Sequence, residues 1–211
     1  MYLFSRSFRL AQGDLKHQME WAFQITEKVN QISETPVLLW QTTMSPQVGV
    51  LAWSMSVDSL AVLEALDDKL SADSGYLELV KEGAQFATQE GLTDNLVQLV
   101  HADADMAPER IRYVTAVNAQ TAPGHAVKAI ELGIEIAQRV KSVTGCPCSF
   151  GTSLTGVYGG VQWATYFDSI EQLEQAQQQL NADTTFVEVI DSKASVAYLP
   201  NAQQSIVRRI V

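Results

Sequence analysis

Residues 53–60 read WSMSVDSL, and residues 163–170 read WATYFDSI. A Trp, an Asp-Ser pair and an aliphatic residue return at one internal spacing, 110 positions later. The match continues outward. Gly49, Leu63, Glu64, Leu70, Ala72, Asp73, Glu78, Ala84 and Val97 meet identical residues at the same offset. Upstream the offset becomes 111, pairing Ala11, Gly13, Glu20, Ile25, Val29 and Pro36 with Ala122, Gly124, Glu131, Ile136, Val140 and Pro147. The change of one falls between TMSPQVG (43–49) and LTGVYG (154–159), a turn, where a one-residue insertion is best tolerated. A tandem duplication explains a run whose single gap lands in a loop.

Each copy predicts the same elements. Residues 2–10 and 111–118 are aromatic or β-branched runs with alternation, hence strands. Residues 14–33 carry Leu15, Met19, Ala22, Ile25, Val29 and Ile32 at helical spacing, and Val127, Ile130, Ile134, Ala137 and Val140 do likewise. Hairpins follow at 37–44 with 48–55, and at 148–153 with 157–165. A second helix begins at the DS pair: Asp58 and Asp168 are expected as N-caps, with Glu171 completing a capping-box pattern behind Asp168. An irregular or helical stretch and a closing strand (96–101, 205–211) end each copy. The order is βαββαβ twice, the ferredoxin-like unit. The expected division is 1–104 and 109–211, with a linker at 105–108.

Such a unit stacks both helices on one face of its sheet, so the other face must be polar or covered. Neither Gly49, Leu51, Trp53 and Met55 nor Val48, Val50, Ala52 and Ser54 makes a solvated face. Leaving several such side chains wet costs a few kcal/mol at roughly 25 cal/mol per Å2. Packing the two helix-free faces together within one chain removes that cost. On element order and duplication, the chain resembles the dimeric α/β-barrel superfamily as a fused pair, an α+β fold with tandem ferredoxin-like repeats packed sheet to sheet. That superfamily includes cofactor-independent monooxygenases of the antibiotic-biosynthesis type, NIPSNAP-like proteins, ligand-sensing domains and haem enzymes. The resemblance implies a cavity for a small organic molecule, either between sheet and helices or between sheets. It ranks the functions: first, binding or cofactor-independent oxidation of an apolar or aromatic metabolite; second, a non-catalytic NIPSNAP-like assembly role; third, haem binding.

Bulk properties narrow the partners. Net charge is −10, which disfavours nucleic acid and anionic membrane. Residues 1–105 hold 15 acidic against 6 basic side chains, whereas 106–211 hold 9 against 8. No run approaches the roughly 18 apolar residues of a membrane span. MYLFSRSFRL has none of the features of a signal peptide, so a cytoplasmic location is expected. No cofactor is expected, and remaining sheet edges point to a homodimer of the fused chain.

No nucleophile elbow, HExxH or phosphate loop is present. Three residues are the catalytic candidates. His125 follows Thr121-Ala122-Pro123-Gly124 at a helix start and is the best single acid or base. Arg6 alternates with Phe4 and Phe8, so it enters an apolar setting and needs an anionic partner. Asn118 lies on the fifth strand. Trp53, Trp163 and Gln41 are the ligand-binding candidates, the first two expected mainly as core. HADAD (101–105) places His101, Asp103 and Asp105 on one face but reads as an acidic, solvated linker, and no metal is assigned. His17 is expected in solvent. Cys146 and Cys148 sit too close for a relaxed disulfide in extended chain and are expected to pack.

Overall fold

The computed structural model describes residues 1–103 and 108–211. Asp105 and most of the expected linker lie outside them; Pro108 opens a 3-10 turn, Pro108–Arg110. The first copy comprises β1 (Tyr2–Leu10), α1 (Leu15–Ile32), β2 (Leu38–Thr43), β3 (Val50–Val57), α2 (Leu60–Ala72), α3 (Ser74–Gly83) and β4 (Ala87–Ala102). The second comprises β5 (Tyr113–Gln120), α4 (Ala126–Thr144), β6 (Cys148–Ser153), β7 (Gly160–Phe167), α5 (Ile170–Ala182), α6 (Thr184–Glu188) and β8 (Gln203–Arg209). The βαββαβ order thus occurs twice. The stretch after the second helix is helical in both copies, and β4 is far longer than the periodicity suggests, at 16 residues.

Contacts gather the chain into two units. One contains Met1–Thr42, Gln47–Leu96 and Arg209–Val211; the other contains Thr43–Pro46 and Val97–Arg208. In the first, β3 pairs antiparallel with both β1 and β2, and the terminal residues Ile210 and Val211 bond to Leu39. In the second, β7 pairs with β5 and β6, β8 pairs with β5, and the end of β4 pairs with β6 from Val97 to Ala102. The bounds of the copies and of the units therefore differ: the end of β4 pairs within the second unit, and residues 209–211 belong to the first. Among the described residues no helix is long and apolar enough to cross a membrane.

Helix starts follow local chemistry, with one correction. Asp14 caps α1, its carboxylate accepting from the N–H groups of Lys16 and His17. At α5 the cap is Ser169 rather than Asp168: Ser169 Oγ accepts from the Gln172 N–H at 3.2 Å, and Gln172 Oε1 accepts from the Asp168 N–H at 2.8 Å. The start therefore sits one residue later than expected, because Ser169 is the last residue with extended backbone, and Gln172 rather than Glu171 reaches back, to the residue before the cap. Ser59 holds the same place before α2, and Asp58 is exposed.

Asp73 and Asp183 carry a double duty. Each accepts from a backbone N–H of the helix it starts, Tyr76 at 2.8 Å and Phe186 at 2.6 Å. Each also pairs with the long helix of its own copy, Lys28 at 2.9 Å and Arg139 at 2.6 Å. Lys28 and Arg139 are repeat counterparts. The duplicated aspartate therefore pins α3 to α1 and α6 to α4 by the same device.

Candidate functional site

Antiparallel partners share a sheet face. In the β1–β3 ladder Phe4 faces Met55, Arg6 faces Trp53 and Phe8 faces Leu51, so these six side chains lie on one side. That side is covered by α1, which brings Trp21, Ile25 and Val29 at successive helical turns, and by Leu66, Leu70, Tyr76 and Val80 from α2 and α3. The helices do not close fully on the sheet. A cavity of about 390 Å3 remains within the first unit.

Its wall is largely apolar, with an aromatic cluster at one part of it. The Trp21 ring lies 5.2 Å from Phe8 and 5.9 Å from Trp53, centroid to centroid, the latter edge to face. Both indole N–H groups are already used: Trp21 donates to the Leu79 carbonyl at 2.8 Å, and Trp53 donates to Thr26 Oγ1 at 2.7 Å. A ligand therefore meets these rings as apolar surface. Gly83 lets Trp21 sit flat against α3, since a β-carbon there would stand 2.2 Å from the indole.

Polar chemistry enters through Arg6. Its Nε and Nη2 donate to the two carboxylate oxygens of Asp94 at 2.7 and 2.8 Å, and its guanidinium lies 5.7 Å from the Phe4 ring centre. Hydrogen bonding to Asp94 raises the Arg6 pKa above its ordinary value, against the opposing effect of burial. The pair uses one edge of the guanidinium, which leaves the other nitrogen, Nη1, for an oxygen acceptor. Tyr76 and Ser54 also line the cavity; Ser54 Oγ accepts from Trp40 Nε1 at 2.8 Å.

The structure brings Arg6 and Trp53 together at this cavity. Gln41 is half-buried opposite Leu51, at the end of the β2–β3 ladder. The other candidates belong to the second unit. His125 occupies the N-cap position of α4, half-buried, and its side chain makes no capping bond. Asn118 is exposed and its Oδ1 accepts from Gln162 Nε2 at 2.9 Å. Trp163 is buried between Phe150 and Tyr198, with centroids 5.0 and 5.2 Å away, and donates to the Gly133 carbonyl at 2.9 Å. Tyr198 in turn donates to the Ala129 carbonyl.

Asp94, Trp21 and Tyr76 were not singled out from sequence, yet a signal existed. Arg6, Trp21, Tyr76 and Asp94 meet Val117, Leu132, Phe186 and Gln204 in the second copy. The polar wall is built where the copies differ.

Elsewhere, Asp103 is not a solvated linker residue. Its side chain is 11% exposed, with Oδ2 accepting from the Cys148 N–H at 3.0 Å and Oδ1 3.1 Å from Lys141 Nζ. It anchors the entry of β6, which the sequence pattern HADAD does not reveal. His101 Nε2 lies 3.7 Å from the same carboxylate. His17 is half-exposed, as expected, but its Nε2 lies 3.1 Å from Glu82 Oε1 and its ring meets Phe86 edge-on. Cys146 and Cys148 are buried, free thiols. Among the described residues no group of three His, Cys, Asp or Glu side chains is arranged to hold a metal ion.

No family model matches the sequence, and no curated protein matches it significantly. Solved structures do. A candidate monooxygenase from Fusobacterium nucleatum aligns with TM-score 0.73 at 9% identity, over 100% of this chain and 92% of that one. A candidate monooxygenase from Lactobacillus acidophilus gives 0.67 at 10% identity, over 99% and 93%. An anthrone oxidase-like protein gives 0.67 at 11% identity, over 100% and 91%. At such identities the likeness is one of fold. With its duplicated halves and full-length matches, the chain has the dimeric α/β-barrel fold, carried in a single polypeptide.

Proposed function

We propose that the first unit binds a small aromatic or apolar molecule in its cavity and oxidises it without a cofactor, a reading to which the fold's likeness to candidate monooxygenases lends support. The observation that carries this reading is the cavity itself: about 390 Å3, walled by Phe4, Phe8, Trp21 and Trp53, with one cationic group, Arg6, held in place by Asp94. Mostly apolar clefts with a few fixed polar groups are the usual form of a small-ligand site. An assembly role would require no such space. Arg6 is the group suited to the chemistry. Carbanion or phenolate character that develops on the ligand is stabilised by a cation already oriented by its partner, in a site where water is scarce. His125 and Asn118 remain candidates for chemistry in the second unit.

A haem-binding reading, the third, finds less support in this cavity. None of its lining residues is a histidine.

The test uses anthrone as probe. Under nitrogen, titration of the full chain should quench tryptophan fluorescence saturably, since Trp21 and Trp53 line the site. On admitting air, one O2 should be consumed per anthrone: the ring CH2 becomes C=O, one oxygen atom enters the product and the other leaves as water. Quenching without oxygen uptake reduces the function to binding; absence of saturable quenching overturns the reading.

A further inference from the structure

A second hollow, of about 220 Å3, opens beside the main cavity. Ile32 and Ser33 at the end of α1 and Ala61, Val62 and Ala65 on α2 form its walls. Met55 and Leu66 line both hollows and are the partition between them. Met55 is 4% exposed, and an unbranched thioether side chain adapts its shape to whatever presses on it. A partition of this kind yields where a branched or aromatic one would not.

Helix α2 is also unusual on that side. Ala61, Val62 and Ala65 are exposed, although a solvated helix face is ordinarily polar. Their repeat counterparts on α5 are Glu171, Gln172 and Gln175. The small, apolar lining is thus confined to the copy that holds the cavity. It ends at an ion pair, Lys69 Nζ to Glu34 Oε1 at 3.0 Å, and both residues border the hollow.

We propose that the two hollows form one bipartite site for an alkyl-substituted aromatic. The aromatic head lies in the main cavity, and an unbranched arm of a few carbons crosses Met55 and Leu66 into the cleft along Ala61 and Ala65. The Lys69–Glu34 pair marks where the arm reaches water. This assignment rests on the reading that the first unit binds an aromatic molecule, and it adds that affinity depends on the arm.

The experiment measures binding of 2-naphthol and a series of 6-alkyl-2-naphthols to the full chain by titration calorimetry. Each methylene buried in the cleft should tighten Kd by roughly fourfold over the first few carbons. Ala65→Phe, a substitution at an exposed helix position, plugs the cleft and should abolish that gain per carbon; Ala61→Phe is an independent plug should the first variant fold poorly. If 2-naphthol binds but the longer members bind no better, or gain as steeply in the plugged variant, the bipartite site is overturned and the head site stands. If 2-naphthol itself does not bind, both readings fall.

Discussion

Phe150 occupies the place where a side chain of Gly133 would be: a β-carbon built on Gly133 comes within 2.1 Å of the Phe150 ring. The counterparts in the first copy are Leu39 and Ala22, both fully buried. An Ala and a Leu in one buried cluster of the first copy correspond to a Gly and a Phe in contact in the second, the smaller residue of each pair set against the larger. Gly133→Ala should therefore destabilise the protein. Phe150 is 0% exposed and has nowhere to move, and overpacking of this kind costs about 1–3 kcal/mol. The gain in helix propensity of up to about 1 kcal/mol offsets it only in part. Denaturant unfolding checks this, and adding Phe150→Leu should recover much of the loss by restoring the arrangement of the first copy.

Arg6→Met separates binding from stability. The Arg6 and Asp94 side chains are 35% and 43% exposed, so the pair contributes at most about 1 kcal/mol to folding. An oxygen-bearing ligand, in contrast, loses a charge-assisted hydrogen bond. The expected outcome is a nearly unchanged melting temperature with anthrone binding weakened about tenfold. A binding curve identical to wild type would remove Arg6 from the site.

The acid limb of stability should report the two pinned helices. Hydrogen bonds from Arg139 and the Phe186 N–H hold the Asp183 carboxyl below its usual pKa, and Lys28 with the Tyr76 N–H does the same for Asp73. A carboxyl with a lowered folded-state pKa stabilises above the unfolded value, about 4, and the contribution is lost as pH falls through the lowered one. Asp183→Asn keeps a cap for the Phe186 N–H but loses the charge. Its deficit against wild type should be full at pH 7, shrink below about pH 4 and vanish at still lower pH. A deficit constant with pH would assign the whole effect to the cap.

Both thiols should be silent in the native protein. Burial pushes the Cys148 pKa up to about 11, and burial raises that of Cys146 as well. Since the thiolate is the reactive form, a disulfide reagent at pH 8 should titrate neither cysteine until the protein is unfolded, and then both. Rapid release from the folded protein would contradict the burial.

Much of the fold was legible because duplication repeats the pattern that decides it. The Trp-to-DS stretch gave strand and helix start in both copies, and the alternation of Phe4, Arg6 and Phe8 correctly implied an apolar setting with an anionic partner for Arg6. The partner, Asp94, was not legible. It lies 88 residues away on β4, and only the fold makes it a neighbour. Asp73 and Asp183 were visible as identities, but their ion pairs required noticing that Lys28 and Arg139 recur with them. Gly133 and Phe150 carry no pattern at all, since a compensating swap looks like two unrelated substitutions. The pairing of the end of β4 with β6 was hidden for a similar reason: periodicity identifies a strand but not its neighbour.

The cavity of the first copy has a consequence for how this protein tolerates change. In the second, Phe150, Trp163 and Tyr198 belong to the buried core, and substitutions there should act on folding before anything else. In the first, residues facing the open space can vary in size without leaving a void that was not there already. A saturation library would then show two separate maps from one ancestral pattern, with tolerance for new ligands clustered in one copy and intolerance to volume clustered in the other.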